Sequence, residues 1–102
     1  MNTYKLQIDE DALQDIKNAT DWYNEQLPNL GWQFQKQVKL QINSLKKNAM
    51  LFRNRYENVR CMMIKKFPFM VHYVINSEMS QVDVFAVIHT SRNPKIWEKR
   101  AK

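Results

Sequence analysis

The sequence predicts a small α+β domain: an N-terminal strand and a two-helix antiparallel hairpin packed on a mainly antiparallel sheet, in the order βααβββ, followed by a basic tail. Three observations carry this expectation. Two stretches repeat apolar residues at helical spacing, the segments after them are β-branched or aromatic with a period of two, and 102 residues suffice for one core but not for two. Residues 1–102 are therefore expected to form a single domain.

The first strand is "YKLQI", which alternates apolar and polar residues from Tyr4 to Ile8. Asp9 offers an N-cap, and Glu10 and Asp11 suit the positive end of a helix dipole. Ala12, Ile16, Ala19, Tyr23 and Leu27 then recur at steps of three or four, so one apolar helical face runs until Pro28. "PNLG" supplies turn chemistry, after which Phe34, Val38, Ile42 and Leu45 mark the stripe of a second helix. "KKNAMLFRNRYENV" has no clean period and reads as a connection into a short strand.

Three strands are then expected: Cys61 to Lys66, Phe69 to Asn76 and Val82 to His89. Paired as a meander with Phe67 and Pro68 in the first turn, they place Met62, Ile64, Val71, Tyr73, Ile75, Val84, Ala86 and Ile88 on one face. That face is almost wholly apolar and is assigned to the helices. The other face would carry Cys61, Met63, Lys65, Met70, His72, Val74, Phe85, Val87 and His89 and remain exposed, an apolar patch with a basic rim. Asn93 and Pro94 are placed to start a short terminal helix, with Ile96 and Trp97 docking it on the sheet.

Charge divides the chain. Up to residue 51, six lysines balance six acids, whereas residues 52–102 hold ten Lys or Arg against four acids, so the whole excess of +6 lies there. Such a half attracts polyanions or an acidic protein partner, although surplus lysine also simply maintains solubility. No apolar run approaches the ~20 residues needed to cross a bilayer. The opening residues lack an apolar signal core and the lone Cys61 cannot form an internal disulfide, so the expected location is the cytoplasm. Neither a glycine-rich phosphate loop nor clustered metal ligands occur in the sequence, and no cofactor or metal is expected.

The order of elements, with "YKLQIDEDALQDIKNATDWY", "LGWQFQKQVKLQINSL", "RCMMIKKFPFMVHYVI" and "VFAVIHTSRNPKIWEKR", resembles the RelE/ParE superfamily of bacterial type II toxin proteins. "KKFPF" followed by "HY", and "AVIH" followed by arginine, proline and tryptophan, look like its ParE-like, plasmid stabilisation branch. The resemblance implies a protein that halts growth unless a cognate antitoxin covers it. It also implies one of two targets: ribosome-bound mRNA, cut by an endoribonuclease, or DNA gyrase, inhibited by binding. A shared fold does not choose between them.

Metal-independent RNA cleavage needs a base, an acid and cations around the phosphate. His89, Arg92 and Lys65 are the candidates, with His72 as a further proton carrier and Trp97 as a stacking platform. In the meander, residue 72 lies opposite residue 85, which puts His89 four positions along, roughly 13 Å from His72 at about 3.3 Å per residue. The two histidines cannot share one proton relay, and any nuclease centre forms around one of them. A satisfied strand histidine is the simpler reading of His72. Methionine and phenylalanine in "CMMIKKFPFMV" are poor phosphate ligands, which favours a toxin that acts by binding. The surface expected to meet target or antitoxin is Arg60, Met63, Lys65, Met70, His72, Arg92, Lys95, Trp97 and Arg100. A binding protein that has lost toxicity is a third reading.

Overall fold

A computed structural model describes residues 3–91. The expected terminal helix, with Arg92, Lys95, Trp97 and Arg100, lies outside the described residues.

The elements are β1 (Lys5–Ile8), α1 (Glu10–Gln26), α2 (Leu30–Asn48), a short 3-10 turn (Ala49–Leu51), β2 (Asn54–Tyr56), β3 (Val59–Met63), β4 (Phe69–Asn76) and β5 (Gln81–His89). They form an α+β fold with one five-stranded sheet in the order β1-β5-β4-β3-β2. β1 runs parallel to β5 and the other neighbours are antiparallel. The helical hairpin brings the chain back over one sheet face, and the last strand then slots between β1 and β4.

Both helices bury the stripes that their spacing predicts: Ala12, Ile16, Ala19 and Tyr23 on α1, and Phe34, Val38, Ile42 and Leu45 on α2. Leu27 departs from its stripe. The helix ends at Gln26, and Leu27 is an extended C-cap residue, 57% exposed, because Pro28 disfavours a helical residue before it. Asp9 occupies the N-cap position without a side-chain cap bond, and its N–H pairs instead with the Val84 carbonyl. Gly31, the only glycine, lies where the helices approach closely: a Cβ there would lie 2.0 Å from the Thr20 carbonyl oxygen. Tyr23, Phe34, Phe67 and Phe69 pack at centroid distances of 4.9–6.0 Å, mostly edge to face, and join the hairpin to the sheet. Tyr73 reaches through the core to donate its hydroxyl proton to the Ala49 carbonyl at 2.6 Å.

Two expectations about the strands are corrected. β2 is an additional short strand, and β3 runs from Val59 to Met63, not from Cys61 to Lys66, so Lys65 belongs to the turn before β4. In β5, His72 faces Ala86 and Tyr73 faces Val84, which leaves Phe85 as the extra residue of a bulge. The bulge reverses the alternation beyond it. Val87 therefore packs in the helix-covered core, while Ala86 and Ile88 join a second cluster with Val59, Cys61, Met70 and Phe85. His89 pairs with Phe69, three positions along β4 from His72 instead of four.

The face away from the helices is also less exposed than expected. Met70 is 4% and His72 0% exposed, and Cys61 and Phe85 are buried with them, partly because Tyr56 of β2 folds over the histidine. Side chains of β2 to β5, Tyr56 and Val74 among them, make a second small core on that face.

Candidate functional site

Three places bring together the chemistry-bearing residues. The first is a cleft of about 760 Å³ between α1 and the end of β5, lined by Asp15, Asn18, Trp22, Phe69, Val87 and His89 among others. Asp15, Asn18 and Trp22 are spaced at i, i+3 and i+7, so α1 presents them on one face. β1 stops at Ile8, opposite Val84, and beyond it the outer edge of β5 has no neighbouring strand. Asp15 closes part of that edge: its Oδ2 accepts the Val87 N–H at 3.0 Å. Sequence reasoning missed Asp15, Asn18 and Trp22, although their helical spacing is the signal that groups them.

His89 enters the cleft with its ring fixed. The Ser91 backbone N–H donates to His89 Nδ1 at 3.1 Å, and the Ser91 hydroxyl lies 2.7 Å from the same nitrogen. A backbone N–H only donates, so Nδ1 carries the lone pair and the neutral ring bears its proton on Nε2. Phe69 stands edge-on at 5.2 Å. In this tautomer the nitrogen not bound to Ser91 can donate a hydrogen bond but has no lone pair to take a proton. The cleft also counts the Asp15 carboxylate, and no lysine or arginine, among its described lining residues. That is a poor arrangement for a crowded phosphate.

The second place is the buried pair His72 and Cys61. His72 Nδ1 lies 3.3 Å from both Cys61 Sγ and Tyr56 Oη. Burial pushes the Cys61 thiol up to about 11, with Arg55 pulling back the other way. A protonated thiol beside an imidazole nitrogen is a hydrogen-bond partner, not a nucleophile. Among the described residues no group of three or more His, Cys, Asp and Glu is placed to hold a metal ion.

The third is the turn between β3 and β4. Lys65 and Lys66 are exposed there, and Met63, at the end of β3, is 52% exposed. Of the site residues expected from sequence, Met63 and Lys65 are thus the exposed ones within the described residues. His89 is half-buried in the cleft, and Met70 and His72 are interior. Arg60 is half-buried and spends its guanidinium on the carbonyls of Phe52 and Met50, bracing the 3-10 turn. The structure does not bring Lys65 and His89 into one cleft.

This architecture is similar to several solved structures. A chain of the chromosomal ParDE toxin–antitoxin system of P. aeruginosa superposes with a TM-score of 0.77 at 14% identity, over 87% of this chain and 98% of that one. A free mutant of the E. coli toxin RelE gives 0.70 at 16% identity, over 96% and 94%. The intact E. coli RelBE toxin–antitoxin complex contains a chain giving 0.58 at 20% identity, over 87% and 99%. At these identities the likeness is one of fold. No curated protein sequence gives a match. The profile of the ParE toxin of the type II toxin-antitoxin system parDE matches residues 6–94, and the chain belongs to that family. Among the described residues, no helix is long and apolar enough to cross a membrane.

Proposed function

We propose that this chain arrests bacterial growth by binding a macromolecular target, with DNA gyrase the favoured one, and that a cognate antitoxin neutralises it. Membership of the ParE toxin family supports the toxin reading, and solved complexes of similar toxins with their antitoxins support the partner. The observation that carries binding over RNA cleavage is the lining of the cleft that holds His89: among the described residues it offers the Asp15 carboxylate and no lysine or arginine to hold a phosphate. The contact surface is assigned to Met63 and Lys65 at the β3–β4 turn, together with Arg92, Lys95, Trp97 and Arg100 of the basic stretch after the end of β5. The excess of ten cations over four acids in the second half of the chain favours an acidic or polyanionic partner.

The test is induction of the gene alone and then with its neighbour, scoring growth, DNA breakage and mRNA cleavage. Arrest with DNA breaks and intact mRNA, relieved by the neighbour, supports the proposal. Codon-phased cutting of mRNA supports a ribosome-dependent endoribonuclease instead, and harmless accumulation of folded protein supports a non-toxic binder.

A further inference from the structure

Gln41, on the face of α2 toward the end of β3, makes an unusual set of contacts. Its Nε2 donates to the Met63 carbonyl at 2.8 Å, and its Oε1 accepts the Lys65 N–H at 2.8 Å. Gln37, one helical turn earlier, donates to the same Oε1 at 2.7 Å. The carbonyl can only accept and the backbone N–H can only donate, so the amide has a single orientation. β2 pairs with β3 only as far as Arg60, opposite Asn54, and the Ile64 N–H is turned toward β4, where it meets the Phe69 carbonyl. The groups that Gln41 binds are therefore those on the open side of β3, beyond the end of its neighbour. One side-chain amide takes the place of the missing strand.

Its effect falls on the turn that follows. Lys65 is held at its own backbone N–H, and Lys66 adopts a left-handed conformation (φ 72°) that is uncommon for a non-glycine residue. Neither lysine shares an ion pair with a described residue. Pinning of the backbone restricts where the Lys65 ammonium can be presented, and orientation lost before binding is not lost again on binding.

We infer that Gln41 is a positioning residue: it fixes the β3–β4 turn so that Lys65 meets the toxin's target in a prearranged geometry. This rests on the assignment of Lys65 to the target surface above. No atom of Gln41 need touch the target, and its influence passes through the Lys65 backbone.

The experiment is titrated induction in cells lacking the antitoxin, reading the amount of accumulated protein that halves growth rate, for the natural chain, Gln41→Met, Lys65→Ala and the double variant. Gln41→Met keeps the bulk of the side chain and removes every amide contact. Lys65→Ala is expected to raise the required amount about tenfold, Gln41→Met to raise it at least threefold, and the double variant to match Lys65→Ala alone. Amide hydrogen exchange on the purified proteins provides the structural readout. Gln41→Met should speed exchange at Lys65 while the β4 and β5 core amides keep their protection, which separates a loosened turn from a damaged fold. Arrest by Gln41→Met at the natural dose, with Lys65→Ala impaired, overturns the inference and leaves the target surface standing. Additive losses in the double variant also overturn it. Natural potency in Lys65→Ala removes the target assignment and the inference together.

Discussion

The Ser91 N–H and the Nδ1 of His89 lie 3.1 Å apart, and this hydrogen bond decides which proton chemistry the ring can perform. A base at Nε2 would require the other tautomer, in which Nδ1–H points at a second N–H. With Nε2 left as a donor and no described lysine or arginine lining the cleft to hold a phosphate, His89→Ala is expected to retain growth arrest within a few-fold of the natural chain. Dose-controlled induction checks this, and loss of arrest in a folded His89→Ala protein would restore the histidine to a catalytic role.

Asp15 supplies the Val87 N–H with its acceptor where β1 has ended. Asp15→Ala leaves a partly buried donor without this partner and should cost about 1–2 kcal/mol, with Asp15→Asn costing less because an amide oxygen can still accept. Urea denaturation of the two variants measures the difference.

Gly31 lets α1 and α2 touch, and its N–H donates to Asn24 Oδ1 at 2.7 Å. A methyl group there would meet the Thr20 carbonyl at 2.0 Å and the Asn24 side chain at 2.6 Å. Gly31→Ala must separate the helices and should destabilise the protein by about 3 kcal/mol, the upper end for overpacking. The shift in thermal midpoint reports it.

The buried acids of the core make stability sensitive to alkali. Burial raises the Cys61 thiol from 9.0 to about 11, and burial likewise raises Tyr73 and Tyr23 from 10.0. Above pH 9 the unfolded chain releases protons that the folded chain keeps, so stability is full below that pH and falls as pH rises through the folded values. Cys61→Ala should flatten the part of this fall between pH 9 and about 11. The native thiol should also resist alkylation at neutral pH, where the thiolate is scarce. Denaturation curves against pH, and thiol labelling of folded and unfolded protein, test both statements.

Much of this architecture is legible in residue spacing. Ala12, Ile16, Ala19 and Tyr23, and then Phe34, Val38, Ile42 and Leu45, declare two helices because an apolar period near 3.6 held over several turns matches the α-helix and not the strand. The sheet is legible only in outline. Phe85 adds one residue to β5, and with a side-chain period of two a single insertion exchanges the faces of everything after it, so strict alternation puts Ala86, Val87 and Ile88 on the wrong sides. β2 is three residues long, too short for alternation to show, yet its Tyr56 covers His72. With Cys61 and Phe85, that contact helps to bury the imidazole. The cleft residues Asp15, Asn18 and Trp22 do stand at helical spacing, but their meeting with His89 depends on the parallel pairing of β1 and β5, which no local pattern encodes.

Mapping of RNA 5′ ends in cells shortly after induction, alongside a reporter of DNA breakage, tests most directly the proposal that this member of the ParE toxin family acts by binding a target and not by cutting RNA. Action by binding gives an unchanged pattern of mRNA ends and a rising break response. New ends phased to codons, without DNA damage, would contradict it.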